Sequence, residues 1–223
     1  MDDFNYFFRI KSYDDSSLKY YLSILNKFDS TDESKNFLCD KAAEKVGDIY
    51  KYRKDYSRAL AYYDSADTKY KDKLEFCGNA YYIDFIPRQY KKSQCYLDLK
   101  NIKQAIKILT PHIFNNLGAS YFDSSMFTYY LTTLNMLYSK QEIRRELKNV
   151  LNKFDYNTSI GTSLDTTVKY LRINFIFKIF DSELVCHTYT TSTDKDNKIP
   201  FSRAKNILEY AIRGLLIYKL LQD

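Results

Sequence analysis

The sequence predicts an all-α protein built from antiparallel helix hairpins, and three observations lead there. Only five Gly and three Pro occur in 223 residues, so few positions force a helix to break. Apolar residues recur at helical spacing along most of the chain, and several periodic segments are joined by connections short enough to require antiparallel neighbours. The composition, 45% hydrophobic and 28% charged, is that of an ordinary globular protein. A chain of this length buries roughly 70% of its unfolded surface, so one elongated domain over 1–223 needs neither a metal nor a disulfide. Tyr (23) and Phe (15) supply the large rings in the absence of Trp and are expected mostly in the core.

The first helix is marked by Leu18, Tyr21, Leu22 and Leu25, which share one face after the polar start Asp14-Asp15-Ser16-Ser17. Helices over 34–52 and 55–70 follow with almost no residues between them and read as a hairpin. Further helices are expected over 75–98, 101–115, 123–138, 140–153, 164–184 and 201–221. Pro87 kinks or divides the fourth helix, because its ring clashes with the carbonyl one turn back. Pro200 starts the last one, where a missing N–H costs nothing. The polar stretches 115–123 and 155–163 read as loops, and Thr188 to Lys198 reads as a surface connection or a short β excursion.

Residues 40–73, DKAAEKVGDIYKYRKDYSRALAYYDSADTKYKDK, carry a spaced pattern of large and small side chains. Val46 and Gly47 are followed by Tyr50, and Ala59, Tyr63 and Ala66 give a small, aromatic, small sequence on the next helix. Small Gly47 and Ala59 allow two helices to approach closely, and Tyr50 and Tyr63 fill the space beside that contact. The segment resembles a tetratricopeptide repeat, a helix–turn–helix unit of about 34 residues. Ala43 stands where the family has Trp, and Lys71 where it has a closing Pro. A weaker copy over 86–119 uses Ser93, Tyr96, Ala105 and Leu109, with His112 in the place of Ala66. It lies further along the chain than the family period would put it, so the connecting helices must be longer. The pairs 124–153 and 164–221 keep the length of a hairpin without the motif.

The resemblance implies hairpins stacked into an irregular right-handed superhelix, with the first helix of each lining a groove for a peptide or partner domain. Carried onto this chain, the groove residues are Lys41, Glu44, Lys45, Asp48, Lys51 and Tyr52, then Tyr90, Gln94, Leu97 and Asp98. The family subtype that grips C-terminal carboxylates uses Lys and Asn in its first helix. Glu44 and Asp48 stand here instead, which argues against that clamp.

The formal net charge of +6 is unevenly spread. Acids outnumber bases over residues 1–40, whereas 88–113 carry Arg88, Lys91, Lys92, Lys100, Lys103 and Lys107 against Asp98. Lys100, Lys103 and Lys107 fall opposite Ile102, Ile106, Leu109 and Ile113. This asymmetry points to a partner protein with an acidic surface. The competing expectation is nucleic acid, with the basic patch at 88–107 on phosphates and tyrosines stacking on bases. A sequence pI near 8.9 falls short of a dedicated binder's footprint.

Catalysis is not expected. His112 and His187 are the two histidines, and neither lies in a metal-ligand spacing. Neither has the preceding Arg used by all-helical ribonucleases of the HEPN type, and Cys186-His187 are neighbours that point in different directions. No glycine loop suggests a nucleotide, and no cofactor is expected. The cysteines Cys39, Cys77, Cys95 and Cys186 form no CxxC pair and read as reduced, buried thiols. Asp2 and Asp3 open the chain, Arg9 interrupts the first apolar run, and Tyr170 to Phe180 is broken by Arg172, Asn174 and Lys178. The expected compartment is the cytoplasm, without a membrane partner. Together these readings favour a protein-binding scaffold, an adaptor or inhibitor, one version being an immunity protein that neutralises a toxin by binding it.

Overall fold

The computed structural model describes residues 13–27, 36–69, 85–115, 124–162, 169–180, 182–191 and 199–208. The chain divides into two compact units, Met1–Ala105 and Ile106–Asp223.

The first unit contains α1 (Asp15–Lys27), α2 (Asn36–Tyr52), α3 (Tyr56–Lys69), α4 (Ile86–Asp98) and the start of α5 (Ile102–Asn115). Asp14 begins α1 as the sequence anticipates: its carboxylate accepts from the Ser17 amide at 2.8 Å and from the Ser16 hydroxyl at 2.8 Å. The apolar face of α1 covers α2, with Tyr21 buried beside Ala42, Val46 and Ile49. Burial, then the neighbouring Tyr20 and Asp48, push the Tyr21 phenol up to about 12. α2 and α3 pack closely where Gly47 meets the Tyr63 ring. Ala59, Leu60 and Tyr63 continue that core to Cys95 of α4. Cys39 and Cys95 are buried thiols, and burial pushes Cys95 up to about 11. Cys77 lies outside the described residues, and Cys186 is described only as a strand position.

The α2–α3 turn is closed by Asp55 N–H donating to the Tyr50 carbonyl at 2.9 Å and Lys54 N–H to that of Lys51 at 3.0 Å. Lys54 takes the left-handed conformation, φ 62°, that glycine more often fills, and the Asp55 carboxylate caps Arg58 N at 3.2 Å. The same arrangement recurs between α4 and α5. Asn101 N–H reaches the Tyr96 carbonyl at 2.8 Å, Lys100 N–H that of Leu97 at 2.9 Å, and Lys100 has φ 61°. Asn101 then caps Gln104 N at 3.2 Å. Small Ser93 brings α4 against α5, its hydroxyl donating to the Ala105 carbonyl at 3.1 Å. Pro87 occupies the first described turn of α4; residues 75–84 of the expected helix, on the far side of the expected kink or division, lie outside the described residues.

The second unit holds the remainder of α5, then α6 (Ser124–Leu134), α7 (Lys140–Asn152), β1 (Phe154–Thr162), β2 (Lys169–Ile179) and β3 (Ser182–Thr191). Ser139 and Glu142 form a reciprocal capping box that starts α7. The strands make an antiparallel sheet in the order β1-β2-β3. Helices form the greater part of the described residues, but this sheet corrects the expected all-α class. The expected helix 164–184 contains β2 and the start of β3, and the expected loop 155–163 lies mostly in β1. The reason is a period of two. Ile173, Phe175, Phe177 and Ile179 are buried while Arg172 and Lys178 are exposed, and in β1 Phe154 is buried between Lys153 and Asp155, both exposed. α7 sets its buried stripe of Ile143, Leu147 and Val150 toward the core and packs on β2.

Of the expected 188–198 connection, 188–191 belong to β3 and the rest lies outside the described residues, as does the loop 116–123. Pro200 opens the helical residues 201–208, its carbonyl accepting from Arg203 N at 2.9 Å and Ala204 N at 3.0 Å.

Candidate functional site

Asp40, Glu44 and Asp48 are spaced one turn apart and therefore form a single acidic stripe on α2. Asp64 and Asp67 project from α3, and Arg88, Lys91 and Lys92 from α4. The three helices interlock through these charges. Arg88 is 0% exposed and pairs with Asp40 at 2.7 Å, Asp67 at 2.9 Å and Glu44 at 3.2 Å. Lys91 reaches Glu44 at 2.7 Å and Asp48 at 2.8 Å. Lys92 pairs with Asp67 at 2.8 Å and also with Asp64. Gln89 donates to Asp67 at 2.7 Å, and Lys51 donates to the Gln94 side chain. Arg88 Nε has no hydrogen-bond partner among the described residues.

Burial sets these groups against their own charge, and the neighbours decide the outcome. Burial pushes Asp40 up to about 6, with Arg88 offsetting only part of that rise. Burial acts the same way on Glu44, but Lys91 and then Arg88 outweigh it and hold that carboxyl below its usual range. Burial also opposes the cations. Asp40, Glu44 and Asp67 nevertheless keep Arg88 above its ordinary value, Glu44 and Asp48 do so for Lys91, and Asp67 and Asp64 for Lys92.

The Asp40 shift has a measurable sign. Its pKa is about 6 when folded and near 3.8 in the free chain, so between those values the folded state holds the extra proton and its stability falls as pH rises. Glu44 works in the opposite sense, its contribution being present above the unfolded value and lost toward acid. In Asp40→Asn the Asp40 contribution is gone. The stability of the variant minus that of the parent, from urea midpoints, should therefore increase between about pH 4 and pH 6 and level off above about pH 7. A difference that stays flat across this window would mean that Arg88 keeps Asp40 ionised throughout.

This network reassigns many of the sequence candidates. Glu44 and Asp48 are committed to Lys91, and Lys51 and Gln94 to each other. Lys41 and Tyr90 are half-buried, as is Leu97. Lys45 stands 3.9 Å from Asp48 with its side chain partly exposed. Asp98, Lys100 and Lys103 are exposed, as is Lys107 further along α5. The expected basic patch at 88–107 is thus reduced, because Arg88 and Lys92 are buried in ion pairs and Lys91 is tied to two carboxylates.

Tyr52 is 68% exposed, and it stacks on Tyr13 with ring centroids 4.7 Å apart. Arg53, the next residue after Tyr52, donates to Asp15 at 2.7 Å and to the Tyr13 carbonyl at 3.3 Å. Tyr13 was not among the sequence candidates, and neither were Asp40, Asp67 and Arg88 as a buried cluster. The i,i+4 spacing of the α2 acids was the available signal for the latter.

In the second unit a cavity of about 550 Å³ lies beside the end of α7 and the sheet, lined among others by Glu146, Lys153, Asp155, Lys178 and Glu183. Lys178 and Glu183 are 3.8 Å apart, and Glu146 accepts from the Phe180 amide at 3.3 Å. Among the described residues its lining contains no Ser, Cys or His. Cys186 and His187 occupy successive β3 positions opposite Phe175 and Asn174. Among the described residues no group of His, Cys, Asp and Glu is disposed to hold a metal ion, and no helix is long and apolar enough to cross a membrane. No family model, curated protein or solved structure matches the chain.

Proposed function

We propose that this chain is a non-catalytic protein-binding scaffold, an adaptor or inhibitor acting in the cytoplasm. The observation that carries the reading is the Tyr13–Tyr52 stack. Two large rings stand exposed, yet they are already ordered against each other and beside Arg53. Tyr and Arg are the side chains that dominate binding energy at protein interfaces, and a preformed stack loses little entropy on binding. The tetratricopeptide-like hairpin supports the same reading, as does the turn of α2–α3 that recurs between α4 and α5. An irregular right-handed superhelix of such hairpins is the architecture this resemblance implies. Exposed Lys100, Lys103 and Lys107, with the partly exposed Lys45, favour a partner with an acidic surface. One concrete version is an immunity protein that covers a toxin's active site.

The test is affinity capture from native lysate at moderate salt, with and without nuclease, using the parent and Tyr52→Ala. A stoichiometric protein should survive nuclease, and Tyr52→Ala should weaken its binding about tenfold. Loss of all bound material with nuclease would overturn the reading in favour of nucleic acid, which retains Lys100, Lys103 and Lys107 for phosphate contacts.

A further inference from the structure

We propose, resting on the protein-binding reading, that the partner docks across the two helix turns at one end of the first unit, and that it is an acidic protein segment carrying apolar side chains. α2 and α4 run in the same direction, since Asp40 meets Arg88, Asp48 meets Lys91 and Lys51 meets Gln94. The α2–α3 and α4–α5 turns therefore lie at the same end. They adjoin there, because the Tyr56 hydroxyl after the first turn donates to the Asp98 carboxylate before the second. Among the described residues of this unit, the exposed large apolar side chains are Tyr13, Tyr52 and Leu99. All three stand at this end, Tyr52 closing α2 with Tyr13 stacked on it and Leu99 capping α4. Between α2 and α4, by contrast, Glu44 and Asp48 are held by Lys91.

Both turns also carry a positive charge where the backbone favours glycine. Lys54 and Lys100 have φ 62° and 61°, a region that glycine enters freely and that a Cβ makes costly. Each is an exposed lysine. With exposed Lys103 in the first turn of α5, they have no ion-pair partner among the described residues. The acids beside them are already engaged, Asp15 by Arg53, Asp55 by Arg58 and Asp98 by Tyr56.

Charge selects the occupant. A second copy would bring the same uncompensated lysines against these, and like charges oppose that pairing. Arg53 and Arg58 have the planar fork that suits phosphate, but carboxylates occupy them both, which leaves lysine point charges beside apolar surface. Carboxylates interspersed with apolar side chains match that surface better than a phosphate backbone does.

Fluorescence anisotropy on the full chain tests this, with a labelled peptide of about 15 residues rich in Asp and Glu and carrying Phe. Its counterpart with Asn and Gln for the acids and a single-stranded DNA of similar length are run beside it. The acidic peptide should bind, and more weakly as salt rises. Lys54→Gly combined with Lys100→Gly should weaken it about tenfold. The urea midpoint of that variant should stay level or rise, because glycine relieves both turns, so lost binding is not lost folding. Arg145→Gln with Lys148→Gln removes the same charge from α7 and should change binding by less than about twofold. An acidic peptide that does not bind, binds no better than its neutral counterpart, or is indifferent to the glycine variant overturns the proposal, while the scaffold reading stands or falls separately by capture from lysate. DNA that binds more tightly than the peptide and loses affinity in the glycine variant overturns the acidic occupant.

Discussion

Arg88→Met should destabilise the first unit by about 3–5 kcal/mol, the usual cost of removing one partner from a buried ionic cluster. Methionine nearly matches the volume of the arginine stem, so the loss is mainly electrostatic. Three carboxylates, Asp40, Asp67 and Glu44, converge on the guanidinium from two other helices, and Asp40 is itself fully buried. Without Arg88 their negative charges face each other in a site that water does not reach. The penalty should be read from the urea midpoint at neutral pH and should shrink at about pH 5, where Asp40 can take up a proton and relieve the repulsion. Adding Asp40→Asn to Arg88→Met should recover part of the loss at neutral pH, because the fully buried carboxylate left without its cation is then uncharged. A loss below about 1 kcal/mol for Arg88→Met would mean that the cluster behaves as a solvated surface network.

That cluster also explains which part of the site could be read in advance. Asp14 before α1, the Gly47 and Ala59 contacts and Pro200 act through local spacing or a neighbouring helix, and each appears where the spacing puts it. Arg88, Lys91 and Lys92 look in the sequence like the beginning of a solvent-facing basic patch. Their partners Asp40, Glu44, Asp48, Asp64 and Asp67 belong to helices far back in the chain, and single-sequence patterning cannot register one helix against another. The sheet was missed for a different reason. In β2 the apolar residues Ile173, Phe175, Phe177 and Ile179 alternate with polar ones except at Ile176, which makes Phe175-Ile176-Phe177 a short continuous run inside the alternation. A continuous run is ambiguous between helix and strand, and the low glycine and proline content tipped the reading toward helix. Tyr13 and Tyr52 illustrate a third limit. Composition puts most tyrosines in the core, but Tyr13, just before α1, is 46% exposed, and Tyr52, the last residue of α2 and a groove candidate, is 68% exposed.

Gly47→Ala should destabilise the protein by about 2 kcal/mol, although the same change in an exposed helix interior gains nearly 1 kcal/mol of intrinsic propensity. A Cβ at position 47 would fall 2.6 Å from Tyr63 Cε1 and 2.7 Å from Cδ1, well inside van der Waals contact. The ring has little freedom to retreat. Tyr63 is fully buried, its hydroxyl donates to Asp48 at 2.8 Å, and Asp48 is in turn held by Lys91 at 2.8 Å. Burial, with Asp48 adding to it, raises the phenol far above its ordinary value, so the group remains a neutral donor at any pH the fold survives. The added methyl must therefore separate α2 from α3 or break the Tyr63–Asp48 bond, and either outcome loosens the contact that brings the two helices together. A double-mutant cycle with Tyr63→Leu distinguishes this account from a simple helix effect. Removing the ring is costly by itself, but in that background Gly47→Ala should be neutral or stabilising, because the propensity gain then has no clash to oppose it. If Gly47→Ala stabilised the parent, the close approach of α2 and α3 would not limit the size of residue 47.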